Sequence, residues 1–156
     1  MSRTKLDLSQ ISGLVPDENL GQYIEKLNEM SYKIIVFVVP GTVKVGLQNI
    51  EIRFPFSGVV ESVYCSMGTP GTTETAISIE KCSQDFIDGV ANASGWTDVL
   101  ADVLTIDVNK KSSNTSASVA ISNAEVESNE HFRINVLSAG EGAKDLSVEV
   151  KIKIVN

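Results

Sequence analysis

The chain has 156 residues, of which 42% are hydrophobic and 21% charged, and these proportions are ordinary for a soluble globular protein. Thirteen Lys and Arg against twenty Asp and Glu give a formal net charge of −7, which argues against a nucleic-acid partner because a phosphate backbone requires clustered positive charge. The longest apolar run, IIVFVVP, is too short to cross a bilayer, and no apolar segment follows the basic start as in a signal peptide. We therefore expect a soluble protein made in a cytoplasm, with no membrane partner and with Cys65 and Cys82 reduced.

Residues 16–33, with the sequence PDENLGQYIEKLNEMSYK, predict a helix. Pro16 suits the first helical position, and the acidic residues directly after it complement the positive end of the helix dipole. The apolar residues of this segment fall on one helical stripe, which consists of Leu20, Tyr23, Ile24, Leu27 and Met30. Because a lone helix of this length is marginal in water, the stripe must be buried, either against the chain's own sheets or between copies in an oligomerisation neck. The sequence thus divides into an N-terminal linker and helix, 1–33, and a β domain, 34–156.

From residue 34 onward the apolar period changes from 3.6 to two, which predicts strands. IIVFVV (34–39) predicts a strand that is buried on both faces or paired at an interface, and Pro40-Gly41 predicts the turn after it. The stretch 39–68 reads as two hairpins. The residues expected to point inward from its first part are Val43, Val45, Ile50, Ile52 and Phe54. In its last part alternation places Val59, Val63, Cys65 and Met67 on one face and Val60, Ser62, Tyr64 and Ser66 on the other.

Further alternating segments follow, and they are TAISIEKC (75–82), LTIDV (104–108), FRINVL (132–137) and LSVEVKIKIV (146–155). The residues expected to point inward from the first and last of these are Ile77, Ile79, Leu146, Val148, Val150, Ile152 and Ile154. SAGEGAKD (138–145) reads as a hairpin-like loop, and 83–102 and 109–118 read as polar loops. Seven or eight short strands with few helix signals predict an all-β fold, an antiparallel β-sandwich or jelly roll with a short N-terminal helix.

The sequence contains no recognisable catalytic constellation. His131 is the only histidine, and we expect it to be structural or solvated rather than a ligand or a base. A Cys–His pair is geometrically conceivable but has no support from spacing. No Gly-rich phosphate loop precedes a helix, and no nucleophile elbow is present. We therefore predict a non-enzymatic protein with no catalytic residues, no cofactor and no bound metal.

A binding function requires less of the sequence. Trp96 lies in a loop rich in Gly, Ser and Asn, where its ring could stack on a sugar while Asn92, Ser94 and Asp98 supply hydrogen bonds. The alternative is that Trp96 fills the edge of the sandwich or a subunit interface, because a single Trp in a domain of this size is usually buried. Both interpretations stay open at this point.

The stretch VPGTVKVGLQNIEIRFPFSGVVESVYCSMGTPGTTETAISIEK (39–81) resembles a β-sandwich domain of tailed-phage fibre and receptor-binding proteins. The motifs that carry the resemblance are Pro40-Gly41-Thr42, Val43-Lys44-Val45-Gly46, Phe54-Pro55, Val60 and Val63 with Gly68-Thr69-Pro70-Gly71, and Ile77-Ser78-Ile79-Glu80-Lys81. HFRINVLSAGEGAKDLSVEVKI (131–152) resembles the closing hairpin of that family, although SNEHF stands where a Gly-Asp turn is usual. LDLSQISGLVPDENLGQYIEKL (6–27) resembles the linkers that feed fibre tips.

This resemblance implies a virion structural protein made in the host cytoplasm, a fibre or adsorption-apparatus component. It implies a homotrimer whose N-terminus contacts other virion proteins and whose sandwich is displayed outward, toward a host cell-surface saccharide. A capsid decoration or head-fibre protein, and a free carbohydrate-binding module outside any virion, are the alternatives. The motifs of the family are not catalytic and transfer no site residues to this chain.

Overall fold

The structure, a computed structural model, describes residues 21–25 and 31–155. The chain divides into two units, Met1–Tyr32 and Lys33–Asn156. In the first unit residues 21–25 are helical, and Tyr23 and Ile24 are exposed. The other members of the predicted stripe, Leu20, Leu27 and Met30, lie outside the described residues.

The described residues form nine strands, which lie in the second unit apart from the first residue of β1. Their bounds are β1 Tyr32–Thr42, β2 Gly46–Phe54, β3 Gly58–Thr69, β4 Thr75–Cys82, β5 Thr97–Asp98, β6 Leu104–Ile106, β7 Glu125–Val126, β8 Glu130–Ser138 and β9 Lys144–Ile154. Two single helical turns, Gln84–Ile87 and Ser113–Thr115, lie in the loops. The helix was predicted to continue to residue 33, but β1 already begins at Tyr32. The predicted C-terminal boundary of the helix is therefore wrong.

The strands form two sheets, one in the order β1-β9-β3-β7 and one in the order β2-β8-β4, with β5 and β6 both pairing with the far side of β4. The pairings of β3 with β7 and β9, and of β8 with β2 and β4, are antiparallel. When β5 and β6 are counted as one interrupted strand, this is the strand order of an eight-stranded jelly roll. The predicted all-β antiparallel sandwich is confirmed.

The long strands that are consecutive in sequence do not form hairpins. β1 to β4 alternate between the two sheets, and β8 and β9 also belong to different sheets. The prediction of two hairpins over 39–68 is therefore wrong, as is the hairpin-like loop at 138–145. Alternation identifies a strand and its buried face, but it carries no information on which strand is the hydrogen-bonded partner.

One core lies between the sheets, and both contribute to it. Its fully buried members include Phe37, Cys65, Ile77, Ile79, Phe132, Ile134, Val136, Leu146, Val148, Val150 and Ile152. The inward residues predicted for β4 and β9 are confirmed, including Ile154, which is partly buried and packs against the core. In β2 the prediction holds as well, since Phe54 is buried and Ile50 and Ile52 pack against the core.

Three local predictions fail. The strand β1 continues through Pro40 to Thr42, and the turn follows it, so Val45 is 65% exposed rather than inward. Gly41 adopts φ +74° and its N–H donates to Asp145 Oδ1 at 2.7 Å, which holds the end of the strand in place. Pro40 is tolerated there because β1 lies at a sheet edge.

The third failure concerns β3, where Val60 is buried at 2% exposure while Val59 is only partly buried. The pairing of β3 with β9 shifts register between Val60 and Ser62. An extra residue at a bulge moves every following side chain to the opposite face, so Val63, Cys65 and Met67 point inward while Val59 does not.

Candidate binding surfaces

The outer face of the second sheet carries a chain of polar contacts centred on β8. His131 is buried, with Nδ1 2.7 Å from Glu51 Oε1 and Nε2 2.8 Å from Gln84 Oε1. Gln84 belongs to the helical turn after β4, and its Nε2 donates to Asp88 Oδ1 at 3.1 Å. Both ring nitrogens of His131 are therefore occupied, and the residue ties the loop after β4 to the sheet.

Cys82 lies directly opposite His131 in the pairing of β4 with β8, which brings together the two residue types of a cysteine nucleophile and its base. The pKa of the Cys82 thiol is raised to about 11, chiefly by burial and then by the nearby carboxylate of Glu51, against the opposing effect of Arg133. A reactive cysteine has a lowered pKa. Since the thiol stays protonated at neutral pH and both nitrogens of His131 are engaged elsewhere, this pair is not activated for nucleophilic chemistry.

The two cysteines are free and lie in different sheets. Cys65 is fully buried in β3, and burial raises the pKa of its thiol to about 12 although Ser113 hydrogen-bonds to this residue.

Trp96 is partly buried and lies outside the core. The guanidinium of Arg133 stacks over its ring, and Arg133 Nε and a terminal nitrogen both contact Glu80 Oε2. Arg133 points outward from β8 because its neighbours Phe132 and Ile134 point into the core. One face of the indole is thus covered by a side chain of the protein itself.

The other predicted ligand-binding residues are divided between two hollows. Asn92 and Ser94 line a polar cavity of about 360 Å³ where the loop after β4 folds back over the end of that strand. Asp98 lines a separate hollow of about 310 Å³ on the outer face of β4 and β8. Trp96 is in the lining of neither. The four residues proposed from the sequence therefore do not converge on one site.

A buried ion pair lies in the wall of the polar cavity. Lys81 Nζ is 2.9 Å from Glu130 Oε2 and also donates to the carbonyl of Glu125 at 2.6 Å, while Glu130 Oε2 accepts from the N–H of Glu127. The sequence indicates this pair, because Lys81 follows Ile77 and Ile79 at the alternate positions of β4 whose side chains point into the core. A lysine at an inward position requires a buried partner.

A third hollow, of about 340 Å³, lies beside β3, at the polar loop predicted over 109–118. Its lining combines apolar side chains from the sandwich with Tyr64 and several hydroxyl-bearing residues of the loop. We name it the β3-edge hollow. The sequence predicted the polar loop but not the part of Tyr64 in this hollow. Alternation placed Tyr64 only on the face opposite Cys65 and gave no reason to single it out.

The outer face of β1 is apolar. Ile35, Phe37 and Val39 are buried, whereas Ile34, Val36 and Val38 are 56%, 47% and 55% exposed. We name these last three residues the β1 stripe. The prediction that this strand is buried on both faces is wrong for the single chain, while its pairing at an interface stays a prediction.

Neither a metal cluster nor a membrane helix is found in the described part of the chain. Within residues 21–25 and 31–155, no group of three or more His, Cys, Asp and Glu is arranged to hold a metal ion. In the same ranges no helix has the length and hydrophobicity to span a bilayer.

Comparisons with known proteins add little. No protein-family model and no curated protein matches the chain. One solved structure, titled "Crystal Structure of FLHE", is similar over 81% of this chain and 99% of its own length, with 15% sequence identity and a TM-score of 0.26. A TM-score this low supports no inference about fold or function.

Proposed function

We propose that this chain is a non-enzymatic structural protein of a tailed-phage virion. In this proposal it is a fibre or adsorption-apparatus component that forms a homotrimer, contacts other virion proteins through its N-terminal segment and displays the jelly roll toward a host cell-surface saccharide. The resemblance at 39–81 suggests the class of protein. The observation that supports assembly is the β1 stripe.

β1 has the features of a strand that is covered by another chain. It lies at the edge of its sheet, it is apolar on both faces, and no charged residue occurs from Ile34 to Val43. Soluble proteins usually protect a long edge strand with charges, with proline or with a covering segment, because an unprotected edge promotes aggregation. Here Lys33 and Pro40 lie only near the two ends of the strand, and the residues between them carry no charge. A second copy of this chain is the occupant that the proposal assigns to the stripe.

The area that a stable interface requires gives the neck a part in the same assembly. A specific interface buries roughly 800 Å² on each partner. Three half-exposed aliphatic side chains supply only a fraction of that area, so the β1 stripe alone is insufficient for a stable contact. In this proposal the apolar neck stripe predicted from the sequence supplies the remainder.

A pair of lysine variants tests the assignment. Val36→Lys introduces a charge in the middle of the β1 stripe without touching the core, because Val36 points away from it. Val45→Lys is the matched control, since Val45 is equally apolar and 65% exposed but lies in the turn after the strand. We expect analytical ultracentrifugation to show that the first variant dissociates and the second keeps the wild-type mass. If the Val36→Lys variant also keeps the wild-type mass, or if both variants dissociate, the result would contradict a specific interface at β1.

A further inference from the structure

The β3-edge hollow lies where one edge of β3 has no neighbouring strand. β7 pairs only with Gly58 and Val59, and loop segment 111–113 contacts β3 further along, where Met67 N–H donates to the Lys111 carbonyl and Cys65 N–H donates to Ser113 Oγ. Because the backbone groups of a strand alternate in direction, the N–H and C=O of Val63 point to the same edge as those of Cys65 and Met67. The hollow occupies the interval that neither β7 nor the loop segment covers.

The lining of the hollow is amphipathic. The apolar part comes from Val63, Leu104, Val119 and Ile121, which belong to the core or pack against it. The polar part is uncharged apart from Glu61, whose carboxylate lies 3.8 Å from Lys151 Nζ. The uncharged polar residues around the hollow are Ser62, Tyr64, Ser113, Asn114, Ser116 and Ser118.

One hydroxyl of this lining is unsatisfied. Ser116 Oγ is buried and has no hydrogen-bond partner within the described part of the chain. An unpaired buried hydroxyl destabilises the folded state, so each such group in a folded protein requires an explanation. Ser116 belongs to the lining, so a ligand in the hollow that bonds this hydroxyl would recover the cost.

We propose that the β3-edge hollow binds one uncharged sugar residue, an inference that rests on the proposed saccharide-binding function. A sugar ring has apolar C–H faces and a rim of hydroxyl groups, and both match this lining. The Tyr64 ring and the aliphatic wall contact the C–H face, while Asn114, the serine hydroxyls and the backbone of Val63 bond the hydroxyl groups. The volume of about 340 Å³ lies at the lower end of the range for small-ligand sites, which fits one sugar residue of a longer chain.

The geometry disfavours two other ligand classes. A peptide that adds a strand to a sheet requires several consecutive free backbone groups, whereas only the short interval around Val63 is uncovered. An anionic sugar requires a cation in the lining, and the described lining of this hollow contains none. The polar cavity near Asn92 is a poorer sugar site because its lining lacks an aromatic side chain and includes the buried Lys81–Glu130 pair.

Saturation-transfer NMR on the full chain tests the proposal. The probes are D-glucose, D-galactose and N-acetyl-D-glucosamine as neutral sugars and D-glucuronate as the anionic one. We expect transfer to at least one neutral sugar and none to glucuronate. Tyr64→Ala and Asn114→Ala should each weaken the affinity for that sugar, measured by titrating the transfer signal, about tenfold, because each removes a contact to the bound ring.

Asn92→Ala is the matched control, since it removes the same amide from the other cavity. Transfer that is lost only in Asn92→Ala, transfer to glucuronate equal to that for the neutral sugars, or no transfer to any neutral sugar would each overturn the proposal. Asn114 is exposed in a loop, so its variant stays informative if Tyr64→Ala fails to fold. The oligomeric mass, measured on the same samples, separates the two proposals. A trimer that binds no sugar would contradict only the proposed site. A monomer would contradict the proposed virion assembly.

Discussion

The guanidinium carbon of Arg133 lies 4.0 Å from the centre of the Trp96 ring, on the outer face of the second sheet. The arginine is oriented by Glu80, which it contacts through two nitrogens. This stacking explains why a tryptophan in a polar loop is only partly exposed although it does not enter the core. It also leaves one face of the ring covered, which weakens the case for Trp96 as a sugar platform.

We predict that Trp96→Ala lowers the free energy of unfolding by about 1 kcal/mol, the typical scale of a cation–π contact at a partly exposed position. Phe37→Ala should cost about 3–5 kcal/mol, because Phe37 is fully buried and its removal leaves a cavity. Urea unfolding of both variants measures the difference. If Trp96→Ala proves as destabilising as Phe37→Ala, the indole contributes to the core.

The Lys81–Glu130 pair should behave as a buried ion pair, with side chains only 7% and 11% exposed. Lys81→Met leaves Glu130 as an uncompensated buried charge, and we expect a loss of about 3–5 kcal/mol in unfolding free energy. Replacing both residues, Lys81→Met with Glu130→Leu, should recover most of that loss.

The partly exposed pair Lys151–Glu61 provides the control for this cycle. Lys151→Met should cost roughly 0–1 kcal/mol, because ion pairs on the surface are screened by solvent. A double variant at Lys81 and Glu130 that is no more stable than Lys81→Met alone would show that the pair is required for packing and not only for charge balance.

The buried thiol of Cys65 predicts a loss of stability in alkaline solution. Burial raises its pKa from 9.0 to about 12, so the folded state favours the protonated thiol. This contribution is complete below pH 9, where the thiol is protonated in both states, and it is lost as the pH rises toward 12. Unfolding free energies at pH 8 and pH 10.5 should therefore differ more for the wild type than for Cys65→Ala, and parallel pH profiles would contradict this.

The neck prediction concerns residues outside the described part of the chain. If Leu20 and Leu27 are buried between copies, Leu20→Asp combined with Leu27→Asp should dissociate the oligomer. The jelly roll should keep its melting temperature, because its core lies within residues 34–154. Unchanged mass in light scattering would mean that the stripe packs elsewhere or that the sandwiches hold the assembly.

The sequence predicted the buried face of most strands, because alternation reflects a backbone whose side chains point to opposite faces. The nine alternating residues 146–154 of β9 and the pair Ile77 and Ile79 illustrate this. It could not predict the exchange between sheets, since strand pairing depends on contacts distant in sequence. The bulge after Val60 was also hidden, because the extra residue leaves no gap in the apolar pattern.

The candidate sites were less predictable than the fold. Loop composition correctly marked two loops that line cavities, but it grouped Trp96, Asp98 and Asn92 by proximity in sequence although the structure directs them to different surfaces. The β3-edge hollow joins β3 to residues some fifty positions later, as in the contact of Cys65 with Ser113. No local pattern reports such a contact.

Static light scattering of the full chain at micromolar concentration tests the central claim, a virion component that functions as an assembled oligomer. The account predicts a mass three times that of the 16.8 kDa chain. A mass equal to one chain would contradict it, and would favour a free carbohydrate-binding module instead.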